Sequence, residues 1–474
     1  MGFFAAIARW IFGQRIAAIA ALTWKAAFRF RLFLVVAVLL LASVVGLPIL
    51  IKDDGTARGF TQILLTYTLS TITGLLGIST LWLACGTLAR DIEECQLQMV
   101  AVKPVARWQI WLGKWLGIMS LNAVLLAISG ASVFFLLQWR SHKLPAGEQA
   151  ILRNEVMVAR GSAKPEKQDK YIEQMTQDLV KERLTKNPVS QADLPEVIKQ
   201  IREQVKAQLQ VVPPGYQIPF TIDLGMAKNS LRDRPLQLRI KFNSADKSPS
   251  GTFQGVWFLG VPQKTPRIWR SEPMSLAPDT FHEFEVPPNL FDENGVLSII
   301  FVNANNTALL FPLEDGMEVL YREGSFGPNF ARGLCIIFCW MGLLAALGLT
   351  AASFLSFPVA AFFAVGVLTL VFSTSTLTNA VSEGTIGGYN AEKGGHQGTP
   401  VDVVVIPVFK GILAIINLAR GFSPIDYLSS GRNISWQQLG LAFGQIILLL
   451  GGIIAVSGIL IFNRRELATA QGTQ

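Results

Sequence analysis

Long apolar segments alternate with short charged ones over most of this chain. Because about 20 apolar residues in a helix cross the roughly 30 Å hydrocarbon core of a bilayer, this pattern predicts a polytopic α-helical membrane protein. Six segments are predicted as spans: Leu32–Ile51, Thr61–Ala89, Trp108–Trp139, Arg332–Phe354, Pro358–Phe372 and Leu439–Phe462.

The pattern changes between the third and fourth spans, where residues 140–327 are polar enough to form a separate α+β domain. Its first half, residues 140–212, is predicted to be helical, because apolar residues recur there at three- and four-residue steps. In one predicted helix these residues are Leu194, Val197, Ile198, Ile201, Val205 and Leu209. Its second half, residues 213–327, has short runs of β character between Pro, Gly, Asn and Asp turns. That spacing predicts a β-sandwich of jelly-roll type.

Two further segments are apolar but carry charges. Residues 1–31 alternate apolar residues with basic ones, which predicts an amphipathic elbow helix at the membrane interface. The alternative is an extension of the first span. Between spans five and six, residues 375–437 contain an apolar stretch, Val401–Phe422, that is interrupted by a proline, a lysine and an arginine. We favour a re-entrant or interfacial helix there, because a seventh span would place the basic C-terminus on the outside.

Composition and charge agree with a membrane protein: 51% of the residues are hydrophobic and 16% are charged. The net charge of +8 does not indicate nucleic-acid binding, because basic residues cluster beside the predicted spans. They lie in the N-terminal segment, between Arg90 and Lys114, and at Arg464–Arg465. Since Lys and Arg collect in cytoplasmic loops, both termini are predicted to be cytoplasmic. Residues 140–327 are then extracytoplasmic, and the predicted location is the cytoplasmic (inner) membrane of a bacterium.

The sequence lacks the motifs of several enzyme classes. It has no GxxxxGK[ST] phosphate loop, no HExxH zinc motif and no GxSxG nucleophile elbow. The three histidines, His142, His282 and His396, are scattered, and four cysteines are too few for a disulfide framework. We therefore expect no catalytic residue, metal site or cofactor in this chain, and no enzymatic activity of its own.

The passage between the second and third spans, Arg90–Gly117, is short and charged and is held by a span at each end. Its sequence is RDIEECQLQMVAVKPVARWQIWLGKWLG, with the adjacent acids Glu93 and Glu94 followed by Lys103 and Arg107. A loop of this kind can contact a soluble partner and transmit force to the helices that carry it. The alternative is that its charges only fix the orientation of the two spans.

Together these features resemble the membrane subunit, or permease, of a type-2 ABC transporter. Such permeases have an elbow helix, six spans, and an acidic residue followed by a proline–arginine pair and a Gly-Lys pair that enters span three. The matching residues here are Glu93 or Glu94, Pro104, Arg107, Gly113 and Lys114. IFNRREL at Ile461–Leu467 and SPIDYLSSGRNISWQQLG before the last span are also similar to the family. The resemblance covers residues 15–139 and 330–467, and the large domain between spans three and four departs from it.

The resemblance implies how the chain assembles. Two permease subunits, identical or different, form a dimer that binds two cytoplasmic ABC ATPase subunits, and these hold the ATP and Mg²⁺. Residues 90–107 supply the coupling helix, which sits in a groove of the ATPase. The residues implied to form this contact are Glu93, Glu94, Leu97, Met99, Pro104, Arg107 and Lys114.

The predicted spans contain few charges but several hydroxyl and amide groups. Four of these residues are candidates for a translocation surface, with packing between helices as the alternative: Thr68, Thr71, Thr73 and Asn122. In the β half of the domain, three aromatic residues are candidates either for its core or for a ligand-binding face: Trp257, Phe258 and Trp269.

Three functions fit these observations. The first is an exporter permease for a hydrophobic or lipid-linked substrate, whose outer domain handles the substrate or a partner. The second is a mechanotransmitting subunit that drives a periplasmic or envelope protein without transport. The third is a receptor-like scaffold that has lost transport. In each case the chain is surrounded by membrane lipids and binds no nucleic acid.

Overall fold

The computed structural model describes residues 13–29, 31–50, 56–96, 105–142, 144–152, 156–166, 168–186, 194–244, 246, 248, 250–383, 385, 389–390, 395–396 and 401–465. The chain divides into two compact units, which are treated separately here. The membrane unit comprises Met1–Ala159 and Gly324–Gln474, and the insert comprises Arg160–Glu323. The insert is therefore shorter than the predicted domain, and its boundaries lie within residues 140–327.

Helices dominate the membrane unit, and strands dominate the insert. The helices are α1 (Gln14–Arg29), α2 (Arg31–Leu50), α3 (Ala57–Glu93), α4 (Arg107–Ser141), α5 (Ala146–Ile151), α6 (Asp169–Lys186), α7 (Leu194–Gln210), α8 (Lys228–Leu231), α9 (Phe326–Ala352), α10 (Phe357–Phe372), α11 (Thr374–Glu383), α12 (Asp402–Arg420), α13 (Pro424–Ser429), α14 (Trp436–Ala442) and α15 (Gly452–Arg464). A π-helical stretch, Phe443–Gly451, joins α14 to α15, and the three together are called the last helix.

The strands are short and lie mostly in the insert. They are β1 (Val158–Ala163), β2 (Val211–Val212), β3 (Gln217–Asp223), β4 (Leu236–Ile240), β5 (Asn243–Ser244), β6 (Phe253–Leu259), β7 (Trp269–Arg270), β8 (Met274–Leu276), β9 (His282–Val286), β10 (Val296–Asn303), β11 (Leu309–Leu310), β12 (Met317–Ser325), β13 (Tyr389–Asn390) and β14 (Gly395–His396).

Five helices in the described chain are long and apolar enough to cross a membrane: Ala57–Glu93, Arg107–Ser141, Phe326–Ala352, Asp402–Ala419 and Trp436–Arg464. A sixth is obtained if the pair Phe357–Val371 and Thr374–Val381, bent by 58°, counts as one span. The chain is therefore a multi-pass helical membrane protein, as the alternation of apolar segments predicts.

The candidate spans differ from the six predicted ones in three places. The first predicted span lies in α2, whose described apolar stretch, Val35–Leu47, is shorter than the five candidates. The fifth predicted span is α10, which qualifies only as half of the bent pair. The sequence favours a re-entrant or interfacial helix for α12, whereas the structure gives Asp402–Ala419 the length and composition of a span. α11 and α12 share one apolar cluster, with Leu377, Leu413 and Ile416 at its centre.

The elbow helix α1 packs along the first half of α4. Its buried residues follow one face of the helix: Ile16, Ala17, Ile19, Thr23 and Ala27. The facing residues of α4 are glycines, and this allows the two backbones to approach closely. A β-carbon at Gly113 would lie 2.8 Å from the β-carbon of Ile19, and one at Gly117 would lie 2.6 Å from that of Thr23. Small residues four apart are a common device for close helix contact in membranes.

The insert is a two-sheet β-sandwich with jelly-roll strand order. One sheet has the order β1-β12-β4-β9, and the other has the order β3-β10-β6, with β7 and β8 pairing β6. If β7 and β8 count as one broken strand and the strands are numbered along the chain, the orders are 1-8-3-6 and 2-7-4-5. This is the arrangement of a jelly roll, in which two Greek keys fold into facing sheets. The short strands β2, β11 and β5 form a separate small sheet.

The two large sheets of the insert share one apolar core. Leu238 from one sheet and Trp257 and Ile299 from the other are fully buried in the same cluster. The Trp257 ring centroid lies 4.6 Å from that of Phe301, so this tryptophan belongs to the core and not to a binding face. Trp269 also packs against the core. The neighbouring Phe258 is half-buried and has the guanidinium of Arg270 at 5.6 Å from its ring centroid.

The helical part of the insert interrupts the jelly roll after its first strand. α6 and α7 pack on each other through Ile172, Ile201 and Val205, as the three- and four-residue spacing in α7 predicts. β1 precedes these helices in the chain but pairs beside β12 at the end of the insert. The predicted helical half, residues 140–212, therefore contains one strand of the sandwich. Its sequence, VARGSA, lacks the regular apolar alternation that marks a half-buried strand.

Candidate coupling site at one end of the membrane unit

The end of the membrane unit where α3 ends and α4 begins, called the loop end below, carries the described residues of the implied ATPase contact. α3 ends at Glu93, and the backbone N–H of Glu94 donates to the backbone oxygen of Arg90 at 2.8 Å. Cys95 has a φ of 56°, a left-handed conformation that stops the helix. α4 starts at Arg107. Three implied contact residues lie outside the described part of the chain: Leu97, Met99 and Pro104.

Lys114 joins α4 to α3 through a buried ion pair. Its Nζ lies 2.6 Å from Oδ2 of Asp91 and donates to the backbone oxygen of Thr87 at 2.8 Å. The side chain of Lys114 is 7% exposed and that of Asp91 is 32% exposed. Removing an ammonium group from water costs several kcal/mol unless it gains partners of this kind. Lys114 is therefore directed into the helix pair and not toward a soluble partner.

Glu93, in the last turn of α3, caps the N-terminus of α10. Its Oε1 accepts a hydrogen bond from the backbone N–H of Phe357 at 2.8 Å. A carboxylate at this position satisfies an N–H that has no partner within its own helix, and it interacts favourably with the positive end of the helix dipole. The guanidinium of Arg90 stacks over the Phe357 ring at 4.5 Å, and Trp82 meets the same ring edge-on at 5.3 Å. Phe357 is thus one point at which α3 holds α10, in addition to the apolar cluster that the two helices share.

Arg107 and Arg465 tie the last helix to α4 and α9. Nη1 of Arg107 donates to three backbone oxygens at the end of the last helix, those of Phe462 at 2.8 Å, Asn463 at 2.9 Å and Arg465 at 2.7 Å. Nη1 of Arg465 donates in turn to the backbone oxygen of Ser353, directly after α9, at 3.0 Å. Both arginines satisfy carbonyl groups that a helix C-terminus leaves unpaired, and their charge favours the negative end of the helix dipole.

These contacts connect the ends of five helices, two of which, α3 and α4, flank residues 94–106 in the chain. α3 binds α4 and α10, and α4 binds the last helix, which binds α9. The groups involved are helix caps and paired charges, so the arrangement holds helices together. Both helices that flank residues 94–106 in the chain belong to the network.

The structure separates the implied contact residues into two kinds. Glu93, Arg107 and Lys114 bind other helices of the same chain, whereas Glu94 is exposed and contacts Gln96 within its own segment, at 2.6 Å. Glu94 is therefore the described acid that is best placed to meet a partner.

Sequence reasoning missed two residues that complete the network, Asp91 and Phe357. Asp91 stands in the same RDIEE run as Glu93, but the run does not show which acid faces Lys114. Phe357 is an ordinary apolar residue between two predicted spans, and nothing in the sequence marks it as a contact residue.

The four candidate translocation residues differ in burial and in hydrogen bonding. Thr68 is buried and its hydroxyl donates to a backbone oxygen one turn earlier, at 2.6 Å. Asn122 is 4% exposed, and its Nδ2 donates to Oγ1 of Thr80 at 2.8 Å. Thr71 is half-buried, and the buried Oγ1 of Thr73 has no hydrogen-bond partner among the described residues. For Thr68 and Asn122, hydrogen bonding within and between helices is a sufficient explanation.

Comparison with known proteins adds no family: no family model matches the chain, and no curated protein matches it. Within the described ranges, no group of three or more His, Cys, Asp or Glu side chains is arranged to hold a metal ion. The basis for a function is therefore the geometry of the loop end together with the motif resemblance.

Proposed function

We propose that this chain is the membrane subunit of an ATP-driven ABC transporter, and that residues 94–106 bind a separate ATPase subunit. ATP and Mg²⁺ bind to that partner, and a second permease subunit completes the dimer. The observation that supports this proposal most strongly is the network at the loop end. If the charges of the loop only set the orientation of the spans, its flanking helices do not need contacts with three further helix ends. If the loop receives force from an ATPase, those contacts pass the force on to the other helices.

In this proposal the loop end, both termini and the ATPase lie on the cytoplasmic side. α4 has 35 residues, so it runs for about 50 Å from the loop end, which exceeds the roughly 30 Å hydrocarbon core. The chain enters the insert beyond its far end, and the insert then lies outside. The last helix ends at the loop end, where Arg107, Arg464 and Arg465 cluster. Basic residues beside spans favour the cytoplasmic side.

Export of a hydrophobic or lipid-linked substrate is the first candidate activity. A mechanotransmitting role is the second, and the insert is the observation that favours it. The insert is a jelly roll with its own apolar core, whereas a simple pore needs only a short connection between its third and fourth spans. In this second role, ATP hydrolysis moves the insert, which acts on a periplasmic or envelope protein. A receptor-like scaffold would use the insert without any ATPase.

Glu94→Arg tests the ATPase contact. We expect the variant to bind its ATPase at least about tenfold more weakly, because reversing a charge in an interface pair costs on the order of 1.4 kcal/mol or more. The measurement is co-purification of the ATPase with the detergent-solubilised chain, followed by ATPase activity of the complex. Glu94 is the right position because Glu93→Arg would also remove the cap of α10.

The matched control is Glu272→Arg, an exposed acid in the insert that undergoes the same charge reversal. We expect it to leave both ATPase binding and ATPase activity unchanged. Equal co-purification from the Glu94→Arg and Glu272→Arg variants would contradict the proposed contact.

A further inference from the structure

One sheet of the insert has apolar side chains on the face that points away from the sandwich core. Residues of β10 alternate between half-buried and buried, and this places Ile300 and Val302 on the outer face. The strand register puts Pro219 of β3 and Phe258 of β6 beside Ile300. It puts Val256 of β6 beside Val302. These five residues are called the apolar patch below.

The other large sheet of the insert has a polar outer face, as expected for an antiparallel sheet with one face in water. Arg239 of β4 lies there between Glu318 of β12 and Glu283 of β9. Its Nη1 is 3.1 Å from Oε1 of Glu318. By contrast, the described apolar clusters of the chain contain none of the Val, Ile and Phe side chains of the apolar patch. An apolar surface of this kind indicates an interaction site.

Opposite charges lie at opposite edges of the face that carries the apolar patch. Arg270 of β7 pairs beside Phe258 at one edge, and Asp223 ends β3 at the other. Both are exposed, and neither forms an ion pair with a described residue. Three strand spacings and four residues separate them, which is roughly 20 Å, so they cannot pair within one chain. A surface with this arrangement is complementary to itself after a two-fold rotation.

We propose that the apolar patch binds the same patch on a second copy of this chain, with the two sheets packed face to face. Aligned sheets pack about 10 Å apart through interdigitating apolar side chains. The contact has two-fold symmetry, so Arg270 of each copy lies at the edge that carries Asp223 of the other. This inference rests on the proposed permease dimer, and it selects two identical subunits for that dimer.

The contact is too small to hold two free molecules together. With its polar rim, the face measures roughly 15 by 20 Å, or about 300 Å² in each copy. A stable interface buries about 800 Å² in each partner. Two copies that are already joined through their membrane units have a high effective concentration of inserts, and this allows a small contact to form. The test therefore uses the full chain in native membranes.

Cysteine crosslinking measures the contact. Ser298 lies on the outer face of β10 beside the apolar patch, and residues 160–323 contain no cysteine. Ser298→Cys is placed in a chain whose two exposed cysteines, Cys95 and Cys335, are replaced by alanine. Because the packed sheets are about 10 Å apart, a short bismaleimide should join two copies through position 298. The matched control is Glu285→Cys, an exposed position on the outer face of the other sheet. We expect the crosslinked fraction at position 298 to be at least about tenfold higher.

A charge exchange tests the symmetry of the contact. Arg270→Asp should lower the crosslinked fraction at position 298 about tenfold, because like charges then face each other at both edges. Asp223→Arg should have the same effect. The chain that carries both substitutions should recover the crosslink. Since the two positions are too far apart to pair within one chain, this recovery requires a contact between copies, and a damaged fold does not produce it.

Equal crosslinking at positions 298 and 285 would overturn the inference, and so would a double variant that recovers nothing. An adduct from position 298 with a different protein would also overturn it, because another partner then covers the apolar patch. Two differently tagged copies are purified from the same membranes together with the ATPase. If the copies co-purify without the crosslink at position 298, the inference is wrong and the permease dimer stands. If the ATPase co-purifies and the second copy does not, the dimer contains a different permease, which contradicts the inference and leaves the proposed function intact.

Discussion

Replacing Lys114 with methionine should destabilise the membrane unit by about 2–3 kcal/mol. The substitution removes the ammonium group that pairs with Asp91 at 2.6 Å and leaves that carboxylate without its cation. Breaking a fully buried pair by removing one partner costs about 3–5 kcal/mol, and we expect a smaller loss here because Asp91 is about one-third exposed to solvent. The measurement is denaturant unfolding of the purified chain in detergent micelles.

A double-mutant cycle separates the ion pair from other effects of the substitution. Lys114→Met combined with Asp91→Leu replaces both charges by apolar groups of similar size, and this should recover most of the lost stability. Lys25→Met is the matched control, because Lys25 is an exposed lysine of the elbow helix, and it should change stability by less than about 0.5 kcal/mol. A double variant that is as unstable as Lys114→Met alone would show that the pair does not join α3 to α4.

Excising the insert should leave a folded membrane unit that still binds the ATPase. The excision removes Arg160–Glu323 and joins Ala159 to Gly324 through two glycines. The two joined residues are already neighbours, since a β-carbon at Gly324 would lie 3.6 Å from that of Ala159. The described apolar clusters of the membrane unit contain no residue of the insert. The measurements are ATPase co-purification and ATP-dependent substrate movement in liposomes.

The excision also distinguishes the candidate functions. An exporter retains ATP-dependent movement of its substrate, whereas a transmitter keeps ATPase activity and loses its action on the outer partner. A control excision of Phe253–Asn303 removes strands from both sheets and should leave an insert that does not fold. If the excision of Arg160–Glu323 loses the ATPase as completely as an unfolded chain does, the two units are not independent.

Much of the architecture can be predicted from the sequence because it depends on local periodicity. Apolar runs predict the candidate spans Ala57–Glu93 and Arg107–Ser141, and the three- and four-residue spacing in Leu194–Gln210 predicts a helix. The alternating runs after Pro213 predict strands of the sandwich. β1 cannot be predicted from local periodicity. Val158–Ala163 pairs with a strand more than 150 residues away and has a glycine at its centre.

The loop end is predictable only in part, because its contacts are non-local. The charged run indicates that Glu93, Arg107 and Lys114 are candidate contact residues, but it does not show which groups they bind. The structure gives all three a partner within the chain, and the partners of Glu93 and Arg107 lie more than 250 residues away. A charge beside a span can equally face a soluble partner or another helix, and only the packing of the spans decides between them.

The most direct measurement of the ATPase contact is a photo-crosslink from residues 94–106 in native membranes. A photo-reactive phenylalanine derivative replaces Gln96, next to Glu94, and in a second strain it replaces Tyr216, an exposed residue of the insert. Irradiation should give an adduct with an ABC ATPase subunit from position 96 and no such adduct from position 216. The proposed function is contradicted if position 96 gives no ATPase adduct while position 216 yields adducts normally.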